Sequence, residues 1–136
     1  MYLYICFFIF FWLENGYVTL ISPSQPIIVD KKNQTQFIIY LIPADGVHIN
    51  GDPAPTFTIL SEKSPIDVQL IKSPPAEKKD NFSILDHQAP FIFKIYVKES
   101  FTNREEKLQA IYYYCSDTEG WCKREIKEFA IQLKLK

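Results

Sequence analysis

The chain has 136 residues, 47% of them hydrophobic and 15% aromatic, and carries a net charge of -1. That length suits one domain with a full core, and that apolar content excludes a disordered chain. The near-zero charge supplies no single-sign field, which argues against nucleic acid as a partner.

In chain order, the first feature is Tyr2–Leu13, an uninterrupted apolar run that contains Cys6. It is shorter than the roughly 20 residues a spanning helix needs, so no integral membrane span is expected. Its length suits the core of an export signal. No Lys or Arg precedes it, and Glu14-Asn15-Gly16 offers no small-x-small cleavage site. We divide the chain there: residues 1–16 as an apolar N-terminal segment read as a signal peptide, and residues 17–136 as the domain. The competing readings of the run are a buried first strand and an internal start within a longer gene.

Beyond Glu14 the sequence predicts short strands at Tyr17–Ile21, Pro26–Lys31, Thr35–Ile42, Thr56–Ser61, Val68–Ser73, Phe91–Glu99, Lys107–Cys115 and Arg124–Lys136. Phe91, Phe93, Ile95 and Val97 alternate with Ile92, Lys94, Tyr96 and Lys98. In the last strand Phe129, Ile131, Leu133 and Leu135 alternate with Ala130, Gln132, Lys134 and Lys136. A period of two marks a sheet with one face on the core. Turn chemistry separates the runs at Ser22-Pro23-Ser24, Pro43-Ala44-Asp45-Gly46, Asn50-Gly51-Asp52-Pro53, Ser73-Pro74-Pro75 and Thr102-Asn103. Nine prolines against four glycines fit an all-β chain. Seven or eight such strands predict a two-sheet antiparallel sandwich. Pro74–Pro90 reads as a long irregular loop of the kind that often carries function. The lysines at 78, 79, 123, 127, 134 and 136 are mostly interleaved with glutamates and read as a solvated strand face.

The chemistry concentrates in Tyr112-Tyr113-Tyr114-Cys115-Ser116-Asp117-Thr118-Glu119-Gly120-Trp121-Cys122. An aromatic strand runs into one cysteine, and a second cysteine opens the next strand. The ends of such a hairpin fall within the Cα separation a disulfide requires. Closing so short a loop constrains the unfolded chain by only roughly 2.5 kcal/mol. The bridge is therefore either a weak staple or a redox centre. Asp117 and Glu119 disfavour a nearby thiolate, whereas Lys123 and Arg124 favour one at Cys122, which makes Cys122 the better attacking thiol. Trp121 either packs in the fold or offers an apolar contact to a partner.

The two histidines, His48 and His87, read as exposed loop residues. Zinc would want close-spaced ligand pairs, and a cysteine-protease dyad would need a histidine beside one thiol. The spacing supports neither, so no metal site and no cofactor are expected. A rival reading from another class is a non-catalytic binding or adhesion module. Its disulfide would be a local clip, and Tyr112, Tyr113, Tyr114, Phe91 and Phe93 would serve an interface.

The hairpin resembles the redox-active hairpin of the N-terminal periplasmic domains of the thiol:disulfide interchange protein DsbD: Tyr-Tyr-Cys, an acidic turn, Gly-aromatic-Cys and an alternating last strand. Ile39–Ile42 followed by Gly46-Val47-His48-Ile49-Asn50 is similar to that family's strand and Gly-aromatic-His-polar turn, with Val47 in place of the aromatic. The likeness spans most of Thr35–Lys136. It implies an immunoglobulin-like sandwich with a reversible Cys115–Cys122 disulfide, in which Cys122 makes the mixed disulfide and Cys115 resolves it. It implies thioredoxin-like or other redox partners and a periplasmic or otherwise extracytoplasmic location; a monomer is expected. It also implies an active-site lid at Asp80-Asn81-Phe82, with Phe82 as the cover. The cysteine spacing here is one residue longer than in the family's best-known member. That member's membrane and thioredoxin domains have no counterpart in this sequence.

Overall fold

The computed structural model describes residues 16–136, so the export-signal reading of Tyr2–Leu13 and Cys6 lies outside the described residues. The described residues form eleven strands and no helix. They are β1 (Val18–Ile21), β2 (Ile27–Val29), β3 (Thr35–Pro43), β4 (Val47–Ile49), β5 (Thr56–Ile59), β6 (Ile66–Lys72), β7 (Ala76–Lys79), β8 (Phe82–Leu85), β9 (Phe91–Val97), β10 (Asn103–Ser116) and β11 (Cys122–Leu135).

One sheet has the order β1-β3-β9-β6. The other runs β2-β11-β10-β4, with β5 also paired to β10. The chain crosses between the sheets at Ser22–Pro26, where two prolines interrupt the first edge. As a result β1 pairs antiparallel with β3, while β2 pairs parallel with β11. Every other pairing is antiparallel. In immunoglobulin lettering the first sheet is A-B-E-D and the second carries C, F and G. The fold is an immunoglobulin-like two-sheet sandwich.

Alternation decides which face each strand buries. Phe37, Ile39 and Leu41 of β3 and Phe91, Phe93 and Ile95 of β9 point inward from one sheet. Leu108, Ala110, Tyr112 and Tyr114 of β10 and Ile131 and Leu133 of β11 answer from the other. Phe37 and Phe93 stack at 5.0 Å. Phe57 of β5 meets Phe91 and Phe93 edge-on at 5.1 and 4.9 Å, tying the two sheets together. These placements rule out an interface built on Tyr112, Tyr114, Phe91 and Phe93, because all four are core residues. One charge is buried with them. Glu106 accepts hydrogen bonds from Arg104 Nε (2.7 Å) and Ser64 Oγ (2.9 Å), the pairing a buried carboxylate requires.

Three expectations are corrected. Pro74–Pro90 is not irregular: it holds the hairpin β7–β8, whose first strand, Ala-Glu-Lys-Lys, is exposed throughout and so carries no alternation to read. Gly46–Asn50 is not a turn: Val47–Ile49 is the strand β4, buried at all three positions. His48 is not an exposed loop residue; it is 7% exposed, whereas His87 is exposed as expected. Three residues between two turns are too few to show a period.

Candidate functional site

Cys115 is the penultimate residue of β10 and Cys122 opens β11, and the two are direct cross-strand partners. The next pair inward to the turn, Ser116 and Trp121, is joined by a backbone hydrogen bond of 2.9 Å, from the Ser116 N–H to the Trp121 carbonyl. The cysteines are therefore a non-hydrogen-bonded pair, the kind whose side chains approach most closely. Their sulfurs are bonded, with the Cα atoms 4.0 Å apart. The turn is held by Ser116 Oγ, which accepts from the N–H groups of Glu119 (2.9 Å) and Thr118 (3.3 Å). Gly120 closes it at φ 76°, a conformation glycine adopts freely.

The two sulfurs have unequal surroundings. Cys115 is 1% exposed, and Cys122 is exposed. Both lie on the outer face of their sheet, because Tyr112 and Tyr114 take the inner face of β10. What covers Cys115 is β4. His48 is its register partner there, and the Asn50 Oδ1 atom lies 3.3 Å from Cys115 Sγ.

The charges near the bridge are not arranged as the sequence suggests. His48 Nδ1–H donates to Asp117 Oδ1 at 2.6 Å. The Trp121 indole N–H donates to Glu119 Oε2 at 2.8 Å. Both carboxylates thus have hydrogen-bond partners of their own. Lys123 faces Tyr114 across the strands, on the side opposite Cys122, and its ammonium lies over the Trp121 ring at 5.2 Å and the Tyr17 ring at 5.8 Å. Of the two cations expected to favour a Cys122 thiolate, Arg124 alone shares its face. Trp121 is half-buried and packs edge-on to Tyr114 at 6.0 Å and against Tyr17 at 5.3 Å, so it anchors the foot of the hairpin.

The segment Asp80-Asn81-Phe82 lies at the tip and far arm of β7–β8. Asp80 takes φ 56° to make the turn. Phe82 is 39% exposed and meets the His48 imidazole edge-on at 5.5 Å. It sits one strand away from Cys115, on the far side of β4. The hairpin is seated there by an Asn50–Ile84 bridge and a 2.8 Å bond from the Gly51 N–H to the Ser83 carbonyl. A groove between the hairpin and β4 is lined by His48, Lys79, Asp80, Phe82, His87 and Asp117.

His48, Asn50 and Gly51 join the site through the pairing of β4, although the sequence places them only in turns. A polar His-x-Asn pair in an otherwise apolar strand was the available signal. Among the described residues no group of three or more His, Cys, Asp or Glu side chains is placed to hold a metal ion. No helix among them is long and apolar enough to cross a membrane.

No family model matches the chain. No curated protein matches it either. Among solved structures it is similar to murine CRIg, at 11% identity and a TM-score of 0.46, over 89% of this chain and 99% of that one.

Proposed function

We propose that this domain is a thiol–disulfide exchange module that passes electrons between a thioredoxin-like donor and extracytoplasmic thiol proteins through Cys115 and Cys122. The observation that carries the reading is the asymmetry of the bridge, with Cys122 open to an approaching protein and Cys115 enclosed against β4. Exchange needs one sulfur that a partner can reach and a second, held within bonding distance, that expels it. In the dithiol form the Cys122 thiolate attacks a partner disulfide. Cys115 then attacks the mixed disulfide, re-forms the internal bridge and releases the reduced partner. The resemblance to the DsbD domains supports the same roles and an extracytoplasmic, periplasmic setting, where a disulfide persists.

A second reading is a structural clip in a binding module. It is favoured by the Tyr17–Tyr114–Trp121 cluster, which fixes the hairpin independently of any chemistry.

Trapping separates the two. With Cys6→Ser in both variants, the Cys115→Ser protein, mixed with an oxidised thioredoxin-fold protein, is expected to accumulate a covalent complex through Cys122. The Cys122→Ser protein is expected to form little or none. Absence of a complex from both variants, together with a wild-type bridge that resists thioredoxin-like reductants in the folded state, favours the clip and ends the exchange reading.

A further inference from the structure

We infer that His48, oriented by Asp117, accepts the proton of the Cys115 thiol when Cys115 resolves a mixed disulfide. The inference rests on the exchange reading above and names a residue that reading does not use. An exposed sulfur such as Cys122 can lose its proton to water. Cys115 is 1% exposed, and burial resists formation of the thiolate that must attack. Its proton therefore needs an acceptor inside the fold.

Four observations place that acceptor. His48 is the register partner of Cys115 on the adjacent strand. The bonds from Asn50 N–H to the Tyr113 carbonyl and from Asp117 N–H to the Gly46 carbonyl flank this pair two residues away on either side, which makes it a hydrogen-bonded pair. Directly opposed residues of this kind share a face, with Cβ atoms about 5 Å apart. Second, the Nδ1–H bond to Asp117 fixes the tautomer and leaves the lone pair on Nε2. A carboxylate that orients an imidazole beside a nucleophile is the logic of a general-base pair. Third, with the bridge closed, Nε2 is buried and has no hydrogen-bond partner among the described residues, the Cys115 sulfur included. An unpaired interior acceptor is costly and calls for a use. Fourth, the Phe82 ring lies edge-on against the imidazole, which limits access of water to it.

The step balances. With the partner bonded to Cys122 Sγ, the Cys115 proton passes to His48 Nε2. The Cys115 thiolate attacks Cys122 Sγ, and the new S–S bond forms as the Cys122–partner bond breaks. The partner leaves as a thiolate and takes the proton back from the imidazolium. Over both halves of the exchange, two electrons move from the domain's dithiol to the partner's disulfide. Asn50 Oδ1 lies 3.3 Å from Cys115 Sγ in the closed bridge. The titratable groups facing His48 are Asp117 from the β10–β11 turn, Cys115 from β10, Lys79 and Asp80 from β7 and its turn, and His87 beyond β8.

The test needs no partner protein. In the full chain carrying Cys6→Ser and Cys122→Ser, Cys115 is the sole thiol, and its ionisation is followed by thiolate ultraviolet absorbance across pH. His48→Gln is expected to move the Cys115 midpoint upward by about one pH unit or more. Asp117→Asn is expected to move it upward by less, and His87→Gln to leave it in place. Superimposable curves for His48→Gln and its parent, at equal melting temperature, overturn the inference. If His48→Gln does not fold, Asp117→Asn decides: its side chain is 47% exposed, and an unmoved midpoint there overturns the inference equally. A shifted midpoint in a protein that exchanges with no partner would sink the exchange reading, and the role in resolution with it, while still marking His48 as the acceptor of the Cys115 proton.

Discussion

Tyr112 shows how a single side chain can set a pH limit. It is fully buried, and its hydroxyl has no hydrogen-bond partner among the described residues. Burial, with the Glu125 carboxylate nearby as the next cause, pushes its phenol above the ordinary tyrosine range. Tyr114 is raised in the same direction, also chiefly by burial. In the unfolded chain both ionise near pH 10. Above that pH the unfolded state sheds protons that the folded state keeps, so stability falls as pH rises. The contribution is fully present below about pH 10 and is lost progressively above it. Tyr112→Phe removes one of these groups together with an unsatisfied hydroxyl. Denaturant titrations are expected to show it unchanged or up to about 1 kcal/mol more stable at neutral pH, with a shallower decline in alkali. A loss of more than about 1 kcal/mol would mean that the hydroxyl is paired.

At the scale of elements, the hairpin β7–β8 depends on one residue that lacks a side chain. A Cβ at Gly51 would stand 2.7 Å from Ser83 Oγ, 3.1 Å from Ala76 Cβ and 3.2 Å from Leu85 Cδ2. The serine and leucine side chains can turn away, but the Ala76 Cβ is fixed to the hairpin backbone. Gly51→Ala is therefore expected to lift the hairpin from β4 and to cost about 1–3 kcal/mol, the usual range for overpacking. Amide exchange at Ser83, Ile84 and Leu85 is expected to quicken while the core strands stay protected. Unchanged exchange there would show that the hairpin is not seated on Gly51. The same region marks where sequence reading stops. The strands β3, β9, β10 and β11 were legible because they are long and bury one face, which leaves a period of two. The strand β4 is three residues long and buried on both faces, and β7 is buried on neither, so neither carries an alternation. Missing β4 meant missing the covering of Cys115, since His48 and Asn50 come alongside Cys115 only through the pairing of β4 with β10.

At the scale of the molecule, the sandwich and the cysteine pair could be anticipated, and the difference in exposure between the two sulfurs could not. Sequence places both cysteines at the ends of one turn. Exposure depends on which strands lie beyond each of them. Near the bridge β10 has β4 on its outer flank, whereas β11 has no partner there among the described residues, because β2 pairs with its far end at Leu133–Leu135. The topology thus encloses one sulfur and leaves its mate open. The core does not depend on the bridge: the sheets are joined by Phe37, Phe57, Phe91, Phe93, Leu108 and Tyr112, and the disulfide lies on the outer face at one end. A sandwich built this way is expected to keep its fold when the bond is reduced, which the exchange proposal requires.

The most direct measurement is an equilibrium titration of the Cys115–Cys122 couple in the intact, folded protein against glutathione and dithiothreitol buffers, read by thiol alkylation and mass spectrometry. The account predicts reversible interconversion at a midpoint above about -300 mV, within the range of exchangeable bridges, with the fold retained in both forms. A bridge that stays oxidised at every buffer ratio until the protein unfolds would contradict it.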